Sequence, residues 1–478
     1  MYGDIHEECG VFGIYADINS DVAARTYLAL YALQHRGQES CGIAVNDDGV
    51  INYYRDVGLV PEVFTKERLE LLGTGNMAVG HVRYASAGVQ NRSNAQPLVV
   101  RHIKGAMTLA HNGRLTNAAE LRDSLEMQGA IFHSTTDAEV MSHVIIQERL
   151  GSDSIEEALE RAMGRIKGAY SLVVMSPSKL IAARDPLGFR PLCMGKIGTS
   201  IVFASESCAF DAIGAEFIRD IDPGEIVVAS RDGVQSIRTH AQSKGNLCVF
   251  EFIYFARPDS VIAGVSVHAA RIQAGRILAK DHPVPADVVI GVPDSGLDAA
   301  LGFSRESGVP YGVGFIKNRY VGRTFIQPTQ GERESTVGIK LNVVDDTVKG
   351  KRLVLVDDSI VRGTTSRRIV HLLRRAGATE VHMRISAPPF RHPCYFGTNI
   401  AERDKLIANK MSIEDIARQI GVDSLAYLSP HSIGEIAADA KCGFCSGCFT
   451  GVYPMPEPKD VPKSKFEQRI SERDRLDV

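Results

Sequence analysis

No stretch of apolar residues approaches the roughly 20 that a membrane-spanning helix requires, so the 478-residue chain carries no sign of a bilayer span. The first eight residues, Met1 to Glu8, lack the basic start and apolar middle of a secretory signal and hold Asp4, Glu7 and Glu8 instead. Cysteine is scarce: nine residues are too few for a disulfide scaffold. Together these absences make the cytoplasm the expected compartment, with thiols reduced or metal-bound. A large net charge is missing too. At a formal −3 the chain is no general polyanion binder, so no nucleic-acid partner is expected and any phosphate site has to be local. Internal repeats and low-complexity cores are absent. What remains is the balance of an ordinary soluble protein, 44% hydrophobic and 23% charged, with length enough for two to four domains.

From Cys9 to about His240 short apolar runs bounded by Gly, Asn, Asp or Pro read as strands: "CGVFGIYAD", "CGIAVNDDG", "AVGHVRYAS", "AMTLAHNG", "YSLVVMS", "LIAARDP" and "IVFASES". "DVAARTYLALYALQHRG" and "DAEVMSHVIIQERLG" carry apolar residues at helical spacing and end at Gly. Runs of both kinds suggest stacked sheets covered by helices, an α+β pattern. A polar stretch near Arg238–Asn246 marks a boundary, placed between residues 240 and 241. From about Ala286 the grammar becomes strand, loop, helix, which is α/β with a parallel sheet. "EDIARQIGVDSLAYLS" reads as a short helix and an apolar stretch. Residues 454–478 are a charged, proline-containing tail, disordered or lying on the surface.

The strongest single signal is "VLVDDSIVRGTT", Val354 to Thr365. An apolar strand ends in Asp357 and Asp358. Ser359 follows, then Arg362, Gly363, Thr364 and Thr365, with a helix expected to begin near Ser366. Gly363 allows close backbone approach, and the helix start presents unsatisfied amides and a dipole to an anion. A bare helix cap needs one acid, whereas two would repel a phosphate unless they face hydroxyls or a cation. No Gly-Lys-Ser/Thr follows, so this is not a Walker loop. The segment resembles the type I phosphoribosyltransferases. That resemblance implies that Asp357 and Asp358 hold the ribose hydroxyls of phosphoribosyl pyrophosphate and that Ser359 and Arg362–Thr365 hold its 5-phosphate. "GVPDSG", Gly291 to Gly296, is similar to the family's pyrophosphate-side loop, with Ser295, Asp357 and Asp358 near Mg²⁺. Lys317 to Lys340, with Arg319, Arg323, Arg333 and Lys340, resembles a basic lid over pyrophosphate.

In the first half, "LQHRGQESCGI", "GHVRYASAG", "LAHNGRLTN" and "STTDAE" occur in order behind Cys9. Glutamine needs a cation for its carboxylate, an anion for its ammonium and donors for the amide oxyanion. Arg83, Asp137, and Asn112 with the Gly113 amide are those three in chemistry. Each motif alone has a bland reading: Cys9 as a small buried residue, "HNGR" as a turn, "TTD" as a helix cap. A cysteine at a chain start can use its own α-amino group as general base, which here requires cleavage between Glu8 and Cys9 and makes residues 1–8 a propeptide. The set resembles the N-terminal-nucleophile glutamine amidotransferases. The resemblance implies an αββα sandwich over residues 9–240, Cys9 as nucleophile, Asn112 and Gly113 as oxyanion hole, Arg83 and Asp137 on glutamine, and Arg36 and Gly37 in the loop around the nucleophile.

Joined to a type I phosphoribosyltransferase domain over 241–453, such a glutaminase implies transfer of ammonia from glutamine to phosphoribosyl pyrophosphate. The products are 5-phosphoribosylamine, glutamate and pyrophosphate, at the committed step of purine synthesis. "KCGFCSGCFTG" places Cys442, Cys445 and Cys448 at three-residue intervals, a spacing that lets thiolates share an ion or cluster. Cys248 and Cys394 are candidates for further ligands. The chain is similar to those joined enzymes that carry both a propeptide and a [4Fe-4S] cluster, and this implies Cys248, Cys394, Cys445 and Cys448 as ligands. Spacing leaves open a swap with Cys442, and Zn²⁺ is the alternative occupant. The resemblance also implies a homotetramer and purine-nucleotide feedback inhibitors. Two rivals stand beside this reading: a hexosamine-forming transferase, which has no use for paired acids before a phosphate loop, and a catalytically silent iron–sulfur sensor, which needs no intact glutamine motifs.

Overall fold

The computed structural model describes residues 9–84, 91–241, 244–318, 341–398, 400 and 403–458. The expected propeptide, most of the expected lid (Arg319, Arg323, Arg333 and Lys340 included) and residues 459–478 lie outside the described residues. The chain forms two compact units, dividing between Gly245 and Asn246. This is a few residues beyond the expected boundary. The polar stretch stays with the first unit, where the His240 ring contacts the Glu160 carbonyl at 2.8 Å.

The first unit is a sandwich of antiparallel sheets. One has seven strands in the order β11 (Glu216–Asp220), β9 (Cys193–Ile197), β10 (Ser200–Ala204), β1 (Gly10–Ser20), β4 (Gly75–Arg83), β2 (Ser40–Asp47), β3 (Val50–Val57). The other has six: β13 (Gly233–Ile237), β12 (Ile226–Ser230), β8 (Leu180–Arg184), β7 (Gly168–Met175), β6 (Gly105–Leu115), β5 (Leu98–His102). Alternation along the strands sends Val11, Ala44, Met77 and Val79 of the first sheet into one layer with Ala110, Val173, Leu180 and Val227 of the second. The opposite faces pack on helices. Residues Phe12, Ile14, Val45 and Ala78 meet the helices Val22–Ala32 and Cys208–Ile213. Leu109, Leu172, Val174 and Ile181 meet the helices Asp137–Leu150 and Ile155–Met163. The layers are therefore αββα. Asp21 starts the helix Val22–Ala32 by accepting from the Ala24 amide at 2.9 Å.

This unit also takes in Tyr395–Gly397 and the segment from Tyr453. Phe396 stacks on Phe189 with centroids 4.3 Å apart, and Tyr453 packs on Tyr395 at 5.1 Å. The start of the expected tail is thus held on a surface, with Tyr395 donating to Glu457 at 3.1 Å.

The second unit is built on a four-stranded parallel sheet, β17 (Val288–Gly291), β20 (Arg352–Asp357), β21 (Glu380–Ile385) and β22 (Ser424–Tyr427). Leu353 to Val356 are wholly buried, as expected of a strand covered on both faces. Three small ribbons complete it: β14 (Asn246–Cys248) parallel to β23 (Gly443–Cys445), and the antiparallel pairs β15 (Val261–Ile262) with β16 (Val265–Ser266) and β18 (Phe315–Lys317) with β19 (Leu341–Val343). Among the described residues no helix is long and apolar enough to cross a membrane.

The helices Val267–Asp281 and Gly296–Ser307 cross on glycine. A Cβ on Gly275 would stand 1.9 Å from the Ala299 carbonyl oxygen, and one on Gly302 would stand 2.0 Å from that of Ile272. Gly275→Ala is expected to destabilise this unit. The overpacking cost of about 3 kcal/mol outweighs the roughly 1 kcal/mol gained in helix propensity. Urea unfolding followed by circular dichroism measures the difference.

Candidate functional site

The site of the first unit begins where β1 begins. Gly10 pairs with Val82 on β4, so Cys9 lies at the strand end beside Arg83. On the far side of β4, Ser40 pairs with Arg83. The Cys9 thiol is half-buried, 4.0 Å from the Tyr84 carbonyl oxygen. Its own carbonyl accepts from Arg36 Nε at 3.0 Å. Arg36 is wholly buried, and its Nη1 sits 2.5 Å from Glu206 Oε1. Gly37 follows where a Cβ would meet the Arg83 backbone at 2.6 Å, so only glycine lets the turn lie this close to β4. The Arg83 guanidinium lies 3.3 Å from Glu39 Oε1, and both side chains are mostly covered.

Asn112 is inside β6, so "HNGR" is strand and not a turn. Its side chain is fully buried, yet neither end of the carboxamide has a hydrogen-bond partner. A buried, unpartnered amide is costly, and such groups concentrate where a ligand is received. Gly113 has φ +132°, and a Cβ there would stand 2.2 Å from the Ala169 carbonyl oxygen, so this strand position admits only glycine. Asp137 opens the helix Asp137–Leu150 and accepts from the Leu115 amide at 2.7 Å. Burial pushes its pKa up, against the pull of that amide, Arg114 and Arg122.

Sequence reasoning missed the buried residues behind these. His81 Nε2 donates to the His111 carbonyl at 2.9 Å, tying the strand of Arg83 to the strand of Asn112 across the sandwich. Ser205 and Glu206 follow β10. The Val11 amide donates to Ser205 Oγ at 2.9 Å, and the Ser205 amide to the Val11 carbonyl at 3.0 Å. "IVFASES" reads as a strand end, and nothing in one sequence separates a buried Glu from a surface one there.

In the second unit two loops meet at the carboxyl ends of neighbouring parallel strands, where α/β sheets receive ligands. "GVPDSG" leaves β17, and the acidic pair closes β20. Asp357 and Asp358 are both buried. Ser295 Oγ lies 2.6 Å from Asp358 Oδ1, joining the loops, and Ser359 Oγ also hydrogen-bonds Asp358. The Asp358 amide donates to Asp357 Oδ1 at 2.9 Å. Burial first, and the neighbouring Asp358 second, push the Asp357 pKa well above the usual carboxylate range. Such a pair calls for a cation or hydroxyl donors between the loops. Close packing shapes the approach: a Cβ on Gly296 would stand 2.5 Å from the Val356 carbonyl oxygen. Gly363 caps the following helix with φ +76°, and the helix starts at Thr364, two residues earlier than expected. Thr364 and Thr365 therefore stand in its first turn, beside the amides that have no intrahelical partner. Arg362 immediately precedes the cap. Lys317 pairs with Asp294 of the first loop at 2.5 Å.

Four thiols are gathered in the same unit. Cys248 and Cys445 face each other in the β14–β23 pair. The amides of Arg391 and His392 both donate to the Cys448 carbonyl at 3.1 Å, bringing up the segment that carries Cys394. Burial first, then Cys394, Cys248 and Cys445, push the Cys448 thiol well above its ordinary range. Among the described residues no group of three or more His, Cys, Asp or Glu side chains is arranged to hold a metal ion.

His81 and His111 carry a pH dependence. Burial is the main cause that holds His81 down to about 3 and His111 down to about 4. The unfolded chain protonates both below about pH 6.5, which the fold resists. Stability is thus full above that pH and declines as pH falls toward the folded values. Between pH 7 and pH 5 each ring is expected to cost about 2 kcal/mol. His81→Gln is expected to flatten the pH dependence of the urea midpoint by that amount.

Comparison with known proteins agrees with both units. Residues 81–212 match the family model described as glutamine amidotransferase domain, and residues 268–395 match that described as phosphoribosyl transferase domain. The amidophosphoribosyltransferase of Bacillus subtilis is 47% identical over 462 residues, 96% of each chain. That of Synechocystis is 50% identical over 466 residues, covering 96% of this chain and 93% of its own. Among solved structures, the B. subtilis glutamine phosphoribosylpyrophosphate amidotransferase complexed with ADP and GMP superposes with a TM-score of 0.89 at 45% identity, over 95% of this chain and 99% of that one. A second, described as the allosteric regulatory enzyme of purine biosynthesis, has a TM-score of 0.90 at 45% identity, over 97% and 99%. With two matching domains and this similarity over nearly its full length, the chain belongs to the amidophosphoribosyltransferase family, which carries ammonia from glutamine to phosphoribosyl pyrophosphate at the first step of purine biosynthesis.

Proposed function

We propose that the two sites divide this reaction between named residues. Cys9, released as the first residue by cleavage after Glu8, attacks the side-chain amide carbon of glutamine through its sulfur, with its own α-amino group taking the thiol proton. The Asn112 amide and the Gly113 backbone N–H stabilise the oxyanion. Collapse breaks the C–N bond and releases ammonia, and water hydrolyses the resulting thioester to glutamate. Arg83 binds the glutamine carboxylate and Asp137 its ammonium, while Arg36 and Gly37 shape the turn around the nucleophile. The observation that carries this is the buried Asn112 carboxamide, unpartnered at both ends on the strand tied by His81 to that of Arg83.

In the second unit Asp357 and Asp358 bind the ribose hydroxyls. Ser359, Arg362, Gly363, Thr364 and Thr365 bind the 5-phosphate, with Lys340 from the expected lid on pyrophosphate. Ammonia attacks the anomeric carbon as pyrophosphate leaves. The donor set of Ser295, Asp357 and Asp358 suits Mg²⁺, which would neutralise the departing pyrophosphate. Support comes from the joined loops and the buried acid pair.

Cys248, Cys394, Cys445 and Cys448 are the proposed ligands of a [4Fe-4S] cluster. The cross-strand pair Cys248/Cys445 and the three thiols acting on Cys448 support this set. No substrate-binding residue named here belongs to that ribbon, so the role fits structure or oxygen sensing. Purine nucleotides as feedback inhibitors, and a homotetramer, complete the reading; the B. subtilis relative was solved with ADP and GMP.

Two measurements test it. Cys9→Ala is expected to abolish glutamine-dependent pyrophosphate release and to leave synthesis from high concentrations of ammonia; equal loss of both contradicts the division of labour. Protein purified without oxygen is expected to contain iron and acid-labile sulfide in equal amounts, and zinc in their place would reject the cluster.

A further inference from the structure

The Cys9 carbonyl is held by the Arg36 guanidinium, and that guanidinium by a buried carboxylate. Glu206 is sealed from solvent and gathers three side chains. Arg36 Nη1 lies 2.5 Å and His35 Nε2 2.8 Å from Oε1, and the Cys208 thiol reaches Oε2 at 3.7 Å. Burial raises the pKa of such a carboxyl, yet the facing His35 and Arg36 outweigh it and hold Glu206 well below the usual range. It is a buried anion neutralised on one oxygen by neighbouring residues of a single turn. That turn is itself anchored, with His35 Nδ1 3.1 Å from the Ala32 carbonyl at the end of the helix Val22–Ala32 and the Arg36 amide on the Leu33 carbonyl at 2.9 Å. From the other side of Arg36, Nε donates to the Cys9 carbonyl at 3.0 Å.

The residue before Glu206 grips the same strand. Ser205 exchanges two hydrogen bonds with Val11, two residues after Cys9. The dipeptide thus fixes β1 twice: at Val11 directly, and at Cys9 through the guanidinium. A guanidinium on a peptide carbonyl is oriented only if its other face is also held, and a planar fork between carbonyl and carboxylate has little rotational freedom. The stem is enclosed, and the carboxylate holds the fork at Nη1.

We infer that Glu206 is a positioning residue of the glutamine half: through Arg36 and His35 it sets the backbone of residue 9, and hence the direction of its sulfur, without contacting glutamine. The inference rests on Cys9 being the nucleophile. It assigns to the Ser205–Glu206 corner a task that ammonia-dependent synthesis does not need. Glutamine binding falls to Arg83 and Asp137, so loss of Glu206 lowers turnover and leaves glutamine affinity.

The test compares Glu206→Gln and Glu206→Asp with the wild type. Three rates are measured: glutamine-dependent turnover, ammonia-dependent turnover, and inactivation by a diazoketone analogue of glutamine, with the labelled residue found by peptide mass analysis. Misplacement of a reacting atom by an ångström costs up to about a hundredfold in rate. Glu206→Gln is expected to lower glutamine kcat by about tenfold to a hundredfold and to slow labelling of Cys9 in parallel. The KM for glutamine and ammonia-dependent turnover are expected to stay close to wild type. Glu206→Asp keeps the charge and shortens its reach, so it is expected to fall between the two, and it decides the matter if Glu206→Gln does not fold. Unchanged glutamine kcat, a rise in KM alone, or equal loss of both activities overturns the inference. Wild-type protein labelled elsewhere than Cys9 would instead refute the nucleophile, a separate result.

Discussion

The antiparallel register of β1 against β4 is the constraint on which the glutamine site depends. Gly10 opposite Val82 puts residue 9 beside Arg83, and a slip by one residue would turn every side chain of β1 to the other face. The register is enforced from both edges. On one side Phe12 and Ile14 are locked into the helix-facing core and Val11 into the layer between sheets. On the other, Ser205 holds Val11 by two hydrogen bonds. The proposed nucleophile, one residue before the strand, gains precision from the sheet without losing access, because pairing starts one residue after it.

The two units solve the placement of charge in different ways. In the first, a buried anion is matched inside the protein: Glu206 has Arg36 and His35 on one oxygen, and a paired buried charge is tolerated where a lone one is not. In the second, adjacent acids are buried side by side, and burial together with the neighbouring Asp358 makes Asp357 costly to ionise. The first arrangement gives a rigid support. The second stores an electrostatic demand at the mouth of a parallel sheet, next to a helix start that favours anions. The proposed substrate, a pyrophosphorylated sugar with Mg²⁺, would bring both the cation and the anion.

Much of the architecture was legible. The apolar runs that became β1, β2, β4, β6, β7, β8 and β10 were bounded by residues that interrupt strands, and the unbroken "RLVLV" could only be a strand buried on both faces. Less visible were β3, β5 and β9, and the strands β11 to β13, which become strands through pairing with neighbours that one sequence does not identify. The helix after Gly363 began two residues early because a left-handed glycine can serve as its cap.

The sequence by itself determined the chemistry available: a cysteine preceding a strand, four ordered motifs with the groups that glutamine requires, paired acids before a Gly-Thr-Thr loop, and thiols at close spacing. These are local patterns, written in residues near one another in the chain. Only the tertiary structure decided that Glu206, 170 positions beyond Arg36, meets it, that His81 ties the two sheets, and that Ser295 meets Asp358. Such pairings join segments distant in the chain, and they arise from burial that leaves charged and polar groups no partner except each other.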